Sequence, residues 1–91
     1  MEIFQIKDAI ISIVNEMDSL AEFDTHHIIN KLINNYNEIY TNTKTPRQND
    51  GQYHAWIART IINKMDLIKL CKVYSINING RQSRNQLWRK P

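Results

Sequence analysis

Residues 67–91 read Leu67-Ile68-Lys69-Leu70-Cys71-Lys72-Val73-Tyr74-Ser75-Ile76-Asn77-Ile78-Asn79-Gly80-Arg81-Gln82-Ser83-Arg84-Asn85-Gln86-Leu87-Trp88-Arg89-Lys90-Pro91, and the fold turns on them. In extended chain Leu70, Lys72, Tyr74, Ile76 and Ile78 fall on one side, with Cys71, Val73 and Ser75 on the other. Asn79-Gly80 is a two-residue hairpin signal, because both positions tolerate positive φ. The stretch therefore predicts a β-hairpin over about 68–90 with its turn at 79–80. It holds six Lys or Arg and no Asp or Glu. Trp88, alternating with the polar Arg89, is expected to fill the core.

That charge asymmetry extends across the chain. Residues 1–45 carry three lysines against seven acids, and residues 46–91 carry nine Lys or Arg against Asp50 and Asp66. The formal net charge of +3 conceals this division. A basic end on a small protein points to a phosphate-rich partner, with an inert dipolar surface as the plain alternative.

Working outward, the chain of 91 residues is expected to form one domain that buries a modest core without staples. Hydrophobic residues make up 42%, so a folded core is expected; two glycines and two prolines favour helices over an all-β sandwich. Ile3, Ile6, Ile10, Ile13, Val14 and Met17 predict an amphipathic helix over about 3–17. Residues 18–21 break it. Asp24 is placed to cap a second helix over about 24–40, with Phe23 packing back on Ile28. Its buried face is Ile28, Ile29, Leu32, Ile33, Tyr36, Ile39 and Tyr40. Thr41 to Asn49 is a polar loop, and Asn49 or Asp50 caps a third helix over about 50–65. That helix is expected to bury Ala55, Ala58, Ile61, Ile62 and Met65, with Ile57 at the edge. Gln52, Arg59, Thr60 and Asn63 face outward, and Trp56 lies between the faces.

Three helices followed by a two-stranded basic hairpin make a mainly α fold that resembles the winged helix-turn-helix superfamily. The resemblance covers nearly the whole length and rests on element order, with Asn79 to Arg89 similar to the wing hairpins of that superfamily. It implies that the third helix enters the major groove of double-stranded DNA while the wing contacts phosphates or the minor groove. The family's short first strand, expected between the second and third helices, has only residues 41–45 to supply it. Carried onto this chain, the resemblance makes Gln48, Asn49, Gln52, Tyr53, Arg59 and Asn63 candidate base contacts. Arg suits guanine, and Gln or Asn suits adenine. Arg47, Arg81, Arg84, Arg89 and Lys90 become candidate backbone contacts, which hold register without reading sequence. An ordinary solvated surface is the alternative for both sets. Tyr53 and Trp56 could also stack on bases or form a partner patch, although core or loop packing competes.

Other chemistries find little footing. His26 and His27 are adjacent, His54 belongs to another element, and the single Cys71 is remote, so no metal-ligand spacing exists. The glycines stand 29 positions apart, so no phosphate-cradling loop forms, and no nucleophile has a base in a recognisable frame. An enzyme and a cofactor are therefore not expected. Cys71 reads as a buried structural thiol, fitting a reducing compartment. The acidic, amphipathic start does not read as a signal peptide and no apolar run reaches membrane-spanning length, so a cytoplasmic location is expected.

Two functions compete. One is a small transcriptional regulator that pairs through its first helix, with Ile3, Phe4 and Ile11, some of them off the core stripe, as the residues to watch. The other is a protein-interaction module, such as a phage or mobile-element inhibitor, on the same scaffold.

Overall fold

The structure, a computed structural model, describes residues 3–91, with side chains from Gln5 onward. Among these residues the chain forms α1 (Ile3–Asn15), β1 (Glu22–Asp24), α2 (Thr25–Asn35), α3 (Asn37–Thr43) and α4 (Asp50–Thr60). A 3-10 turn (Ile62–Lys64), β2 (Ile68–Ile76) and β3 (Gln82–Arg89) follow. The strands make one antiparallel sheet in the order β1-β3-β2. The architecture is thus four helices against a three-stranded antiparallel sheet, not three helices and a two-stranded hairpin.

The first helix buries the expected stripe: Ile6, Ile10, Ile13 and Val14, joined by Ala9. It ends at Asn15, and Met17 packs on the core from outside it. Of the residues proposed to pair two copies, Ile11 is half-buried, while the side chains of Ile3 and Phe4 lie outside the described residues. Residues 18–21 reverse the chain, with Leu20 at φ +67 and its N–H donated to Lys90 O at 3.1 Å.

That reversal delivers the third strand. Glu22, Phe23 and Asp24 pair with Arg89, Trp88 and Leu87. Strand β1 therefore lies between α1 and α2, and residues 41–43, part of the stretch expected to hold a strand, are helical. Asp24 ends β1 and caps α2 as expected, its carboxylate accepting the His27 N–H at 2.9 Å.

The expected helix over 24–40 is two helices. Tyr36 leaves helical geometry at φ −138, ψ 40, within the run Asn34-Asn35-Tyr36-Asn37. Asparagine side chains compete for backbone hydrogen bonds and weaken a helix there. The buried face is otherwise as expected, with Ile28, Ile29, Leu32 and Tyr40 buried. Helix α3 also takes in Thr41 to Thr43, where Thr43 Oγ1 donates to Ile39 O at 2.7 Å, so the loop shortens to 44–49.

Helix α4 is capped by Asn49, with Gln52 completing a reciprocal capping box. It stops at Thr60, and the 3-10 turn replaces the rest of the expected helix to 65. Its buried stripe is Tyr53, Ile57 and Ile61, continued by Ile62, whereas Ala55 is exposed and Ala58 half-buried. The helix is rotated from the expected phase because burying Tyr53 and Ile57 removes more apolar surface from water than burying two alanines.

In the hairpin, residues 77–81 connect the strands. Gly80 alone in this connection has positive φ, at +76, so the Asn79-Gly80 two-residue turn is replaced by a longer one. Asn77 organises it: its Oδ1 accepts the N–H groups of Asn79 and Arg81. From Lys72 onward alternation holds, with Val73 and Ser75 inward and Lys72, Tyr74 and Ile76 outward. A register shift between Lys69 and Lys72 breaks it upstream. Gln86 fills that irregularity, its Nε2 donating to Leu70 O at 2.6 Å and Cys71 O at 3.3 Å. The shift leaves Cys71 exposed, not buried. Trp88 is 3% exposed and belongs to the core, as expected.

The rotated phase of α4 has a direct consequence for stability. Ile57→Ala should cost about 2–5 kcal/mol in chemical denaturation. Ala55→Ser should stay within about 0.5 kcal/mol. The opposite ranking would restore the expected phase.

Candidate nucleic-acid interface

A groove of about 400 Å³ opens between α4, the start of α2 and the hairpin. Gly51, Ala55 and Arg59 line it from α4, and Lys72 and Arg84 from the hairpin. Glycine and alanine keep the helix surface low, so a ligand backbone could approach closely between the cations. Asp50 also lines the groove, but Lys44 pairs with it at 2.9 Å.

A polar knot beneath the hairpin ties it to the first turn of α2 beside the groove. Asn85, 9% exposed, accepts the His26 N–H at 2.9 Å and donates from Nδ2 to Val73 O and Ser75 Oγ, both at 3.3 Å. The His26 ring spans the two strands: Nδ1 lies 2.6 Å from Ser75 Oγ, and Nε2 3.1 Å from Ser83 Oγ. Burial alone would raise the Asp24 carboxyl. The neighbouring Ser75 hydroxyl, His27 N–H, His26 ring and Asn85 amide outweigh it and hold that carboxyl below its ordinary 3.8.

A second cluster fixes α4 against α3. The Tyr53 hydroxyl donates to Tyr40 O at 2.5 Å, and Tyr40 Oη lies 2.7 Å from His54 Nε2. Burial pushes the Tyr40 phenol up to about 12, with Asp50 adding to it, and raises that of Tyr53 as well. Burial also lowers the His54 imidazole below its ordinary 6.5; Asp50 opposes this, while His26 and Lys44 reinforce it. His54 is therefore held neutral at pH 7.

The predicted contacts divide accordingly. Arg59 and Arg84 are brought to one groove. Arg81, at the end of the hairpin connection, is exposed, as are Gln52 and Asn63; Asn63 lies beyond α4 in the 3-10 turn. Tyr53 is withdrawn from the candidate set, being 0% exposed and packed against Tyr40 at 5.1 Å between ring centroids. Trp56 stacks on Tyr53 at 6.3 Å and 22°, half-buried, as its core-packing reading expected. Asn49 and Gln52 hold each other in the capping box, and Gln48 accepts the Thr45 N–H at 2.9 Å, so their side chains serve the local fold. Arg47 is exposed in the 44–49 loop.

Arg89 and Lys90 lie at the other end of the hairpin. Arg89 pairs with Glu22 at 2.8 Å across the β1–β3 register, a half-exposed pair of small energetic weight. Lys90 Nζ donates to Met17 O at 2.7 Å and Asn15 O at 3.3 Å, at and just past the end of α1. Sequence reasoning missed Lys72, because alternation put it on the side of Leu70, Tyr74, Ile76 and Ile78, whose apolar residues gave no sign that this side faces outward. It also missed His26 and Asn85, whose contact spans 59 residues and leaves no local signal.

Among the described residues no three His, Cys, Asp or Glu side chains gather to hold a metal ion, and no helix is long and apolar enough to cross a membrane. No family model, curated protein or solved structure matches the chain.

Two outcomes follow from these clusters. Asn85→Ala strands the His26 N–H and should lower stability by about 1–3 kcal/mol in denaturant titration. Because the folded His54 pKa is depressed, its contribution is intact above 6.5, the ordinary value, and is lost as pH falls from there through the folded pKa. Melting temperatures measured from pH 7.5 to 5 should fall in that window for the wild type and flatten in His54→Gln. An unchanged slope in the variant would show that other groups carry the acid sensitivity.

Proposed function

We propose that this chain is a winged helix-turn-helix protein that binds double-stranded DNA and acts as a small transcriptional regulator. In this reading α4 enters the major groove and the β2–β3 hairpin is the wing. The observation that carries it is the convergence of Arg59 from α4 with Lys72 and Arg84 from the hairpin on one groove. These three cations have no side-chain partner among the described residues. A phosphodiester backbone passing between helix and hairpin would meet all three.

Strand β1 pairs with β3 to make a three-stranded sheet beside the helices, but it lies between α1 and α2, not where the resemblance puts the family's short strand. Base reading falls to the exposed side chains of Arg59 and Asn63, with Gln52 available if its capping bond is released on binding. Arg81, Arg84 and Lys72 hold the backbone. Arg89 and Lys90, engaged at the base of the sheet, contribute to the fold instead.

Fluorescence anisotropy with a labelled random-sequence duplex tests the assignment. Six phosphate contacts would weaken binding ~10³-fold between about 50 and about 200 mM salt. Arg81→Ala/Arg84→Ala should reduce the steepness of that salt dependence by about two contacts, and Arg59→Ala should weaken binding with the fold intact. A wild-type chain that leaves the duplex unbound at the lowest salt would sink the assignment.

A further inference from the structure

The hairpin has its two faces the wrong way round for a sheet that packs on a core. Antiparallel sheets with one solvated face usually turn apolar residues in and polar residues out. Here the inward positions toward the end of the hairpin are Ser75, Ser83 and Asn85, which spend their hydrogen bonds on His26 and on each other. Tyr74 and Ile76, 66% and 57% exposed, stand outward. Burial in this fold cannot account for an aromatic and a branched aliphatic side chain at those positions.

Their neighbours are specific. Tyr74 pairs across the strands with Arg84, Ile76 with Gln82, and Lys72 with Gln86. Lys72, Tyr74 and Ile76 therefore form a row on β2, beside Gln82 and Arg84 on β3. No carboxylate occurs anywhere from Leu67 to Pro91.

We propose that this outer face of the hairpin is a binding platform for single-stranded nucleic acid. Tyr74 offers its ring to an unpaired base and Ile76 backs the next, while Lys72 and Arg84 hold the intervening phosphates. Aromatic stacking beside a cationic track is how chains without sequence preference hold single strands. A duplex does not satisfy this face, since its bases show their edges in the grooves and keep their π-faces stacked inside. The free edge of β2 carries Lys69 and Lys72, and lysine on an edge strand opposes pairing with a second copy. The platform goes beyond the duplex reading because α4 takes no part in it. Lys72 and Arg84 stand at the rim shared with the groove, so Tyr74 and Ile76 are the side chains that distinguish the two sites.

The test uses the full chain with two fluorescent probes at low salt, a deoxythymidine oligomer of about 15 nucleotides and a duplex of similar length. Tyr74→Ala should weaken oligomer binding ~5-fold or more and Tyr74→Phe should retain it, with duplex affinity changing by less than ~2-fold in either variant. Tyr74 is largely solvent-exposed, and a circular dichroism melt of each variant checks that the fold is kept. Oligomer binding without duplex binding would sink the duplex reading and keep the platform; the reverse would remove the platform and keep the duplex site. Equal losses on both probes, or no loss in Tyr74→Ala, would overturn the platform. No oligomer binding by the wild type would overturn it too, leaving the patch to a protein partner.

Discussion

The hydrogen bond from the His26 N–H to Asn85 Oδ1 is the constraint that sets the hairpin against the helices. Apolar contacts between two surfaces tolerate sliding, whereas a buried amide bonded on both sides does not. Asn85 joins the first turn of α2 to β3 through its oxygen and β3 to β2 through its nitrogen. The His26 ring repeats that bridge through Ser75 and Ser83. At the other end of the hairpin Trp88 supplies apolar anchorage, paired with Phe23 of β1 and Lys69 of β2. One end of the hairpin is thus held by burial and the other by directional bonds.

The basic residues divide by the work already required of them. Lys44, Arg89 and Lys90 are committed to Asp50, Glu22 and the carbonyls at the end of α1. Arg59, Lys72, Arg81 and Arg84 have no such acceptor among the described residues, and they cluster around the groove and the end of the hairpin. Uncompensated charge of one sign in a concave site focuses a field outward, the arrangement that draws an anionic polymer. The acids that balance the chain's total charge, including Asp8, Glu16 and Asp18, are exposed on α1 and the turn after it.

Much of the helical part could be read directly from residues. Ile6, Ile10, Ile13 and Val14 repeat at helical spacing with polar residues between, and Asp24 precedes an apolar-periodic run at a capping position. The misreadings have physical causes. In α4 two stripes compete, Tyr53-Ile57-Ile61 and Ala55-Ala58-Ile62-Met65, and alanine fits either a buried or an exposed site, so spacing alone cannot choose. The irregularity between Lys69 and Lys72 changes which side chains turn outward at Cys71, and one unpaired residue leaves no compositional trace. Strand β1 is three residues long, too short to show a period. Arg59 and Arg84 were both legible as candidates. Their meeting across a groove was not, because it depends on tertiary contacts between elements far apart in the chain.

The free edge of the hairpin also bears on association between copies. A free edge strand with exposed apolar side chains is a template for association between copies, and proteins commonly blunt such edges with lysine. Strand β2 carries Lys69 and Lys72 while keeping Tyr74 and Ile76 exposed beside them. If solubility alone governed this face, polar residues at positions 74 and 76 would serve it better and cost the core nothing, since neither side chain belongs to the core. The pairing of retained apolar surface with cations that discourage self-association fits a face kept open for a partner rich in negative charge.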